Sequence, residues 1–174
     1  MPRISPKVQT ALNKQINREL ASAYVYLAMS TWADEQNLQG AASWLRIQWE
    51  EELVHATKIV DYIGNRGGTV KLTVIAEPPA KYKDLLDVFK NVLKHEEDVT
   101  AAINSLYGLA VGEKDYATQT LLDWYVNEQV EEENQPMEII SMLELAGNSP
   151  SGLLMVDRQL AERSRAPSAN LAAT

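Results

Sequence analysis

Four stretches of the chain place apolar residues at the three- and four-residue spacing of one helix face, and an ionisable group interrupts each stripe near its middle. The first stripe reads Val8, Leu12, Gln15, Glu19, Ala23, Tyr26, Met29, Ala33, and the second Leu45, Gln48, Glu52, His55, Ile59, Tyr62. The third reads Leu85, Phe89, Val92, Glu96, Val99, Ile103, Leu106, and the fourth Leu121, Tyr125, Glu128/Gln129, Glu132, Pro136, Ile140, Leu143. A lone carboxylate taken out of water costs several kcal/mol or gives up its charge. Four converging in one interior need counter-charge, and the stripes carry no inward Lys or Arg. Glu19, Glu52, Glu96 and Glu132 together bring four negative charges, which two divalent cations would balance, with neutral His55 as a nitrogen ligand. The pattern predicts an all-α four-helix bundle with a dinuclear metal site inside it.

A length of 174 residues suits one domain with a full core. The absence of cysteine removes disulfides and thiolate chemistry from consideration. A net charge of −8 argues against a nucleic-acid surface and suits a protein that attracts cations. The first residues hold no apolar run, and no later stretch approaches the roughly 20 apolar residues of a membrane span. Neither a signal peptide nor a membrane anchor is expected, and the expected location is the cytoplasm.

Ser5-Pro6 reads as a helix N-cap followed by proline in the first turn. The first helix is expected to reach about Glu35, and the second to run from the turn at Asn37–Gly40 to about Gly64. Residues 69–83 (TVKLTVIAEPPAKYK) form a long connection with strand-like alternation, long enough to cross the bundle and leave neighbouring helices parallel. The third helix is expected from Lys83-Asp84 to Gly112, the fourth to Ala146-Gly147, and a short fifth from Ser149-Pro150 to about Glu162. Residues 1–165 are thus one bundle with a short C-terminal helix, and 166–174 a small polar, disordered tail.

Glu52-x-x-His55 puts a carboxylate and an imidazole on one helix face. The motif alone is common; its position on the core stripe, level with Glu19, Glu96 and Glu132, makes it a ligand pair. Oxygen donors with one nitrogen favour iron or manganese over copper or structural zinc. The run Glu128-Gln129-Val130-Glu131-Glu132-Glu133 would ordinarily be a solvated acidic face. Gln129 and Glu132 nevertheless share the apolar stripe, and Glu128 and Glu131 beside them could meet Glu51 in a looser cation site. Tyr26, two turns from Glu19, is either a core phenol satisfied by a carboxylate or a redox-active neighbour of the metals. Trp49 and Trp124 read as packing residues, and His95 as facing solvent or another subunit.

Over roughly residues 5–163 the chain resembles the bacterial-type non-haem ferritins of the ferritin-like di-iron superfamily. The resemblance rests on Asn17-Arg-Glu-Leu, Tyr26-Leu-Ala-Met-Ser, Gly40-Ala-Ala-Ser-Trp-Leu-Arg, Glu51-Glu-Leu-Val-His, Asp123-Trp-Tyr-Val-Asn-Glu-Gln-Val-Glu-Glu-Glu and Leu145-Ala-Gly. It implies a hollow shell of twenty-four copies that oxidises Fe(II) with O2 or H2O2 and stores hydrated ferric oxide. It further implies that Glu19, Glu52 and His55 bind one iron, and that Glu52, Glu96 and Glu132 bind the other. Gln129 would lie behind them with Tyr26 alongside, and Glu51, Glu128 and Glu131 would form a third iron site. A di-iron peroxidase without storage and a non-catalytic, mineral-nucleating shell are the alternative functions.

The chain also departs from its likenesses. Bacterioferritins and rubrerythrins carry a second Glu-x-x-His on the fourth helix, where this chain has Glu128-x-x-Glu131 and Glu132-x-x-Gln135. Leu53 stands where the haem methionine of bacterioferritins would follow Glu52, so no haem is expected. Leu122 and Gln119 replace the acids that line the three-fold pores of animal shells. Pro136, one turn after Glu132, predicts a kink or π-type turn in the fourth helix and a loosened Glu132.

Overall fold

The computed structural model describes residues 4–163, and the expected disordered tail at 166–174 lies outside them. Five helices follow one another: α1 (Pro6–Glu35), α2 (Gln39–Asn65), α3 (Leu85–Gly112), α4 (Tyr116–Ala146) and α5 (Pro150–Ala161). Their ends obey local chemistry. Ser5, Asp84, Asp115 and Ser149 each accept a backbone N–H in the first turn of α1, α3, α4 and α5. α2 closes with Gly67 at φ +67 and Gly68 N–H donating to the Ile63 carbonyl, the paired-bond terminus that glycine makes cheaply.

α1 packs along α2, α3 along α4, and α1 meets α3. Pairings fix the directions. Tyr62 reaches Thr118 and Gln48 reaches Glu132, so α2 and α4 are antiparallel; Tyr26 reaches Glu96 and Lys7 reaches Glu113, so α1 and α3 are too. α1 and α2 pack along each other across a short turn, with Ser30 donating to the Ala42 carbonyl, so they are antiparallel as well; α2 and α3, consecutive in sequence, therefore run parallel, and residues 69–83 span the bundle between them.

That connection contains no strand, although its sequence alternates like one. Its partner is a helix face. Gln9 Oε1 accepts the Thr69 N–H; Asn13 donates to the Thr69 carbonyl and accepts the Lys71 N–H; Asn17 donates to the Lys71 carbonyl and accepts the Thr73 N–H. Four helical residues advance about 6 Å and two extended residues about 6.6 Å, so the two periods keep step. Side-chain amides thus satisfy the backbone that a neighbouring strand would otherwise satisfy.

The core is split. Tyr26, Met29, Leu45, Phe89, Val92 and Ile139 belong to one apolar cluster, and Val8, Leu12, Ile16, Ile59, Ile103 and Leu122 to another. Between them lies a buried polar layer of Gln15, Glu19, Gln48, Glu52, His55, Glu96, Gln129 and Glu132.

α4 continues as one α-helix through Pro136, so the π-type turn, one of the two expected distortions, is absent. The Pro136 ring is buried, which offsets part of the cost of the backbone bond it cannot make. α5 turns its apolar face inward: Val156 and Leu160 are buried in the chain's own core with Leu153 packed against it, leaving Leu154 and Met155 exposed.

α5 also completes α2. The N-cap position of α2 is Leu38, which has no capping side chain. Asp157 supplies the missing acceptor, taking the Ala41 N–H at 2.8 Å from a buried position. Gly40 permits the approach, because a Cβ there would lie 1.7 Å from the Asp157 carbonyl oxygen. Gly40→Ala is expected to separate the two helices and cost about 2–4 kcal/mol, against about 1 kcal/mol for Asp157→Ala. Thermal unfolding of both variants checks this; a smaller loss for Gly40→Ala would remove the close-approach account.

Candidate metal centre

Neighbouring turns near the middle of each long helix contribute to the polar layer. α1 brings Glu19 and Tyr26, α2 brings Glu52 and His55, α3 brings Glu96, and α4 brings Gln129 and Glu132, all buried. The apolar stripes on either side pull these side chains inward, because each shares its face with the core residues above and below.

Ligand atoms of Glu19, Glu52 and His55 lie within 4.8 Å of one another, as do those of His55, Glu128 and Glu132. The Glu52 Oε2–His55 Nδ1 separation is 3.6 Å. Neutral donors hold the outer edges of the cluster. Gln15 donates to Glu19 Oε1 at 2.7 Å, and Gln48 to Glu132 Oε2 at 2.6 Å. Glu96 accepts from Gln129 at 3.3 Å and from the Tyr26 hydroxyl. Tyr125 donates to the His55 backbone carbonyl at 2.7 Å, while the Trp124 ring meets the imidazole edge to face. Oxygens Oε2 of Glu19 and of Glu52 remain buried with no donor at all.

Electrostatics make this arrangement costly without cations. Burial, then Glu19, Glu96 and Glu132, push the Glu52 carboxyl far above its ordinary value. Burial raises Glu96 to about 7 despite the bonds from Tyr26 and Gln129. Glu132 rises to about 8 through burial and the charge of Glu96. Burial and the same carboxylates raise the Tyr26 phenol, which keeps its proton and donates it to Glu96. No Lys or Arg pairs with any of the four carboxylates among the described residues. Two acceptor-only oxygens without donors, next to an imidazole, are the donor set a hard or borderline divalent cation takes up.

Comparison with known proteins agrees with this geometry. Residues 9–146 match the sequence family described as a ferritin-like domain. The chain is 39% identical over 160 residues to a bacterial non-heme ferritin of Bacteroides fragilis, covering 92% of this chain and 99% of the relative. The chain belongs to the ferritin family. The bacterial non-heme ferritin of Escherichia coli O157:H7 is 38% identical over 157 residues, covering 90% and 95%. Among solved structures, the open pore ferritin of Archaeoglobus fulgidus superposes with a TM-score of 0.91 at 45% identity, covering 92% of this chain and 99% of that one. A closed form of that ferritin engineered by site-directed mutagenesis gives 0.92 at the same identity, covering 94% and 99%.

The outer carboxylates of this ferritin-family chain lie near one another, with the charges of Glu131 and Glu51 both acting on Glu128. Glu128 is half-buried and turned toward His55 and Glu132, Glu131 is exposed, and Glu51 is engaged by Arg163 at 2.7 Å. His95 is half-buried against α1, with Nε2 2.7 Å from Ser22 Oγ. The Ser22 hydroxyl donates to the Arg18 carbonyl, so His95 is the donor between them. Its position opposite α1 rather than outward follows from α3 rolling Glu96 into the core one residue later. Gln15 and Gln48 were legible as stripe residues without a role; an amide one turn before Glu19 and before Glu52 was the available signal. Leu53, in place of a haem methionine, is half-buried, and no helix among the described residues is long and apolar enough to cross a membrane.

Proposed function

We propose that this chain is an iron-storing ferritin whose buried layer is a di-iron ferroxidase centre. The observation that carries the reading is the pair of donorless buried oxygens, Glu19 Oε2 and Glu52 Oε2, beside His55. Fe(II) is the substrate. Glu19, Glu52 and His55 take one ion, and Glu52, Glu96 and Glu132 the other, so that Glu52 bridges both. Binding displaces the protons that burial keeps on Glu96 and Glu132. Gln15, Gln48 and Gln129 orient the carboxylates from behind, and the Tyr26 hydroxyl anchors Glu96. Two Fe(II) become two Fe(III); the two electrons reduce O2 to H2O2 or H2O2 to water. An oxygen-rich site favours Fe(III) and drives the oxidation forward.

Glu128, between the cluster and the surface, is the first residue of an outer station that Glu51 and Glu131 complete. Ferric product passes there and hydrolyses to hydrated oxide inside a homo-oligomeric shell, which we take to have twenty-four copies. The bundle of residues 1–165 is the unit of that shell, the site is free of haem, and the protein works in the cytoplasm. Similarity to bacterial non-heme ferritins over nearly their whole length supports the storage role. Anaerobic soaking of crystals with Fe(II), followed by anomalous diffraction, tests the reading. Two strong peaks are expected between Glu19, Glu52, His55, Glu96 and Glu132; peaks confined to surface carboxylates would overturn it.

A further inference from the structure

The residue that follows α5 returns to the metal-bearing helix. Arg163 lays its guanidinium over the Trp44 ring at 4.5 Å and places Nη2 2.7 Å from Glu51 Oε2. The pair is largely sheltered, with side-chain exposures of 17% for Arg163 and 27% for Glu51. Glu51 precedes Glu52 in sequence, and its charge acts on both Glu128 and Glu132. From these contacts we propose that Arg163 is a positioning residue that withholds Glu51 from the outer cation station, so that α5 sets how many divalent ions the site holds. The proposal rests on the iron-handling reading of the buried cluster.

The physical case is a competition for one carboxylate. A guanidinium at 2.7 Å already neutralises Glu51, and a cation entering beside Glu128 must either displace it or sit near its positive charge. Stacking on Trp44 aligns the planar fork and lowers the ordering cost of the pair. The fork is only half used, because Arg163 Nη1 is buried without an acceptor. An orphaned donor makes the closed arrangement less stable than a fully satisfied one, which suits a contact that opens. α5 is anchored independently by Asp157 on the α2 N-terminus, so loss of the Arg163 contact alone leaves the helix docked.

The test is calorimetric titration of the assembled, full-length protein with Co(II), which binds like Fe(II) and does not oxidise under these conditions. The wild type should fill two tight positions per chain and bind further ions weakly. Arg163→Gln should bind the third ion at least tenfold more tightly while the first two are unchanged. Arg163→Lys, which returns a cation without the fork, should fall between. Glu51→Gln combined with Arg163→Gln should lose the gain, as simple loosening of α5 would not. Third-ion affinity identical in wild type and Arg163→Gln overturns the inference and spares the parent reading. Failure of the wild type to fill the two buried positions overturns both. Should Arg163→Gln not assemble, Arg163→Lys, which keeps the positive charge without the planar fork, must bind the third ion more tightly than the wild type or the inference fails.

Discussion

Glu52→Ala is expected to abolish fast aerobic Fe(II) oxidation, lowering the initial rate at least about 100-fold, while leaving the oligomer intact. Even partners that only orient a metal ligand cost about 10–100-fold when removed, and Glu52 is the one carboxylate proposed to hold both ions. Its position on α2, one turn from His55 and facing Glu19, gives it no substitute. The same change should not weaken the metal-free fold through charge. Glu52 is buried among Glu19, Glu96 and Glu132, and its removal relieves repulsion that no Lys or Arg among the described residues offsets by pairing with it. Glu52→Gln keeps the volume and tests this without a cavity: its metal-free form should melt several degrees higher, at about 2–4 °C per kcal/mol for a chain of this size. Stopped-flow traces unchanged in Glu52→Ala would remove the ferroxidase assignment, and a lower melting temperature for Glu52→Gln would remove the electrostatic one.

The melting temperature of the metal-free protein should fall between pH 5 and pH 8.5, by on the order of 10 °C. Glu96 and Glu132 have folded-state values of about 7 and about 8, above the ordinary 4.5. Below pH 4.5 both are protonated whether the chain is folded or not, and their contribution to stability is complete. As pH rises from there, the unfolded chain releases protons that the fold retains. Stability is then lost by up to about 1.4 kcal/mol per pH unit for each group, until the folded values are passed. Saturating Co(II) should reverse the slope, because a cation favours the ionised carboxylates and binds more tightly as protons leave. Calorimetric scans in chelator and in Co(II) across this range decide the matter; a flat metal-free profile would mean that the four carboxylates are solvated.

Much of the centre was readable because a charged residue on an apolar stripe has so few physical explanations. Glu19, Glu52, His55, Glu96 and Glu132 each stood out against leucine-like neighbours, and all lie in one buried layer. Several helix starts were readable for the same reason, since Ser5, Asp84 and Ser149 have narrow local roles. Long-range contacts were not. Nothing periodic marks Asp157 as the cap of α2 or Arg163 as the partner of Glu51, 112 residues away. Local rules also overreached on one point at Pro136, where no π-type turn forms. The alternation of residues 69–73 was real, but its cause was a row of amides on α1 instead of another strand.

That row also makes the connection countable. Each step of four along α1 answers a step of two between Thr69 and Thr73, and only alternate residues turn their backbone groups toward Gln9, Asn13 and Asn17. One inserted residue would turn both backbone groups of the following residues away from the amides and break every contact beyond it. Two would restore the phase with a bulge. Relatives of this chain should therefore vary the length of this stretch by even numbers, and confine odd insertions to residues 74–83, where the path up to α3 has no such metre. A parity rule for loop length is thus written into a helix thirty residues long.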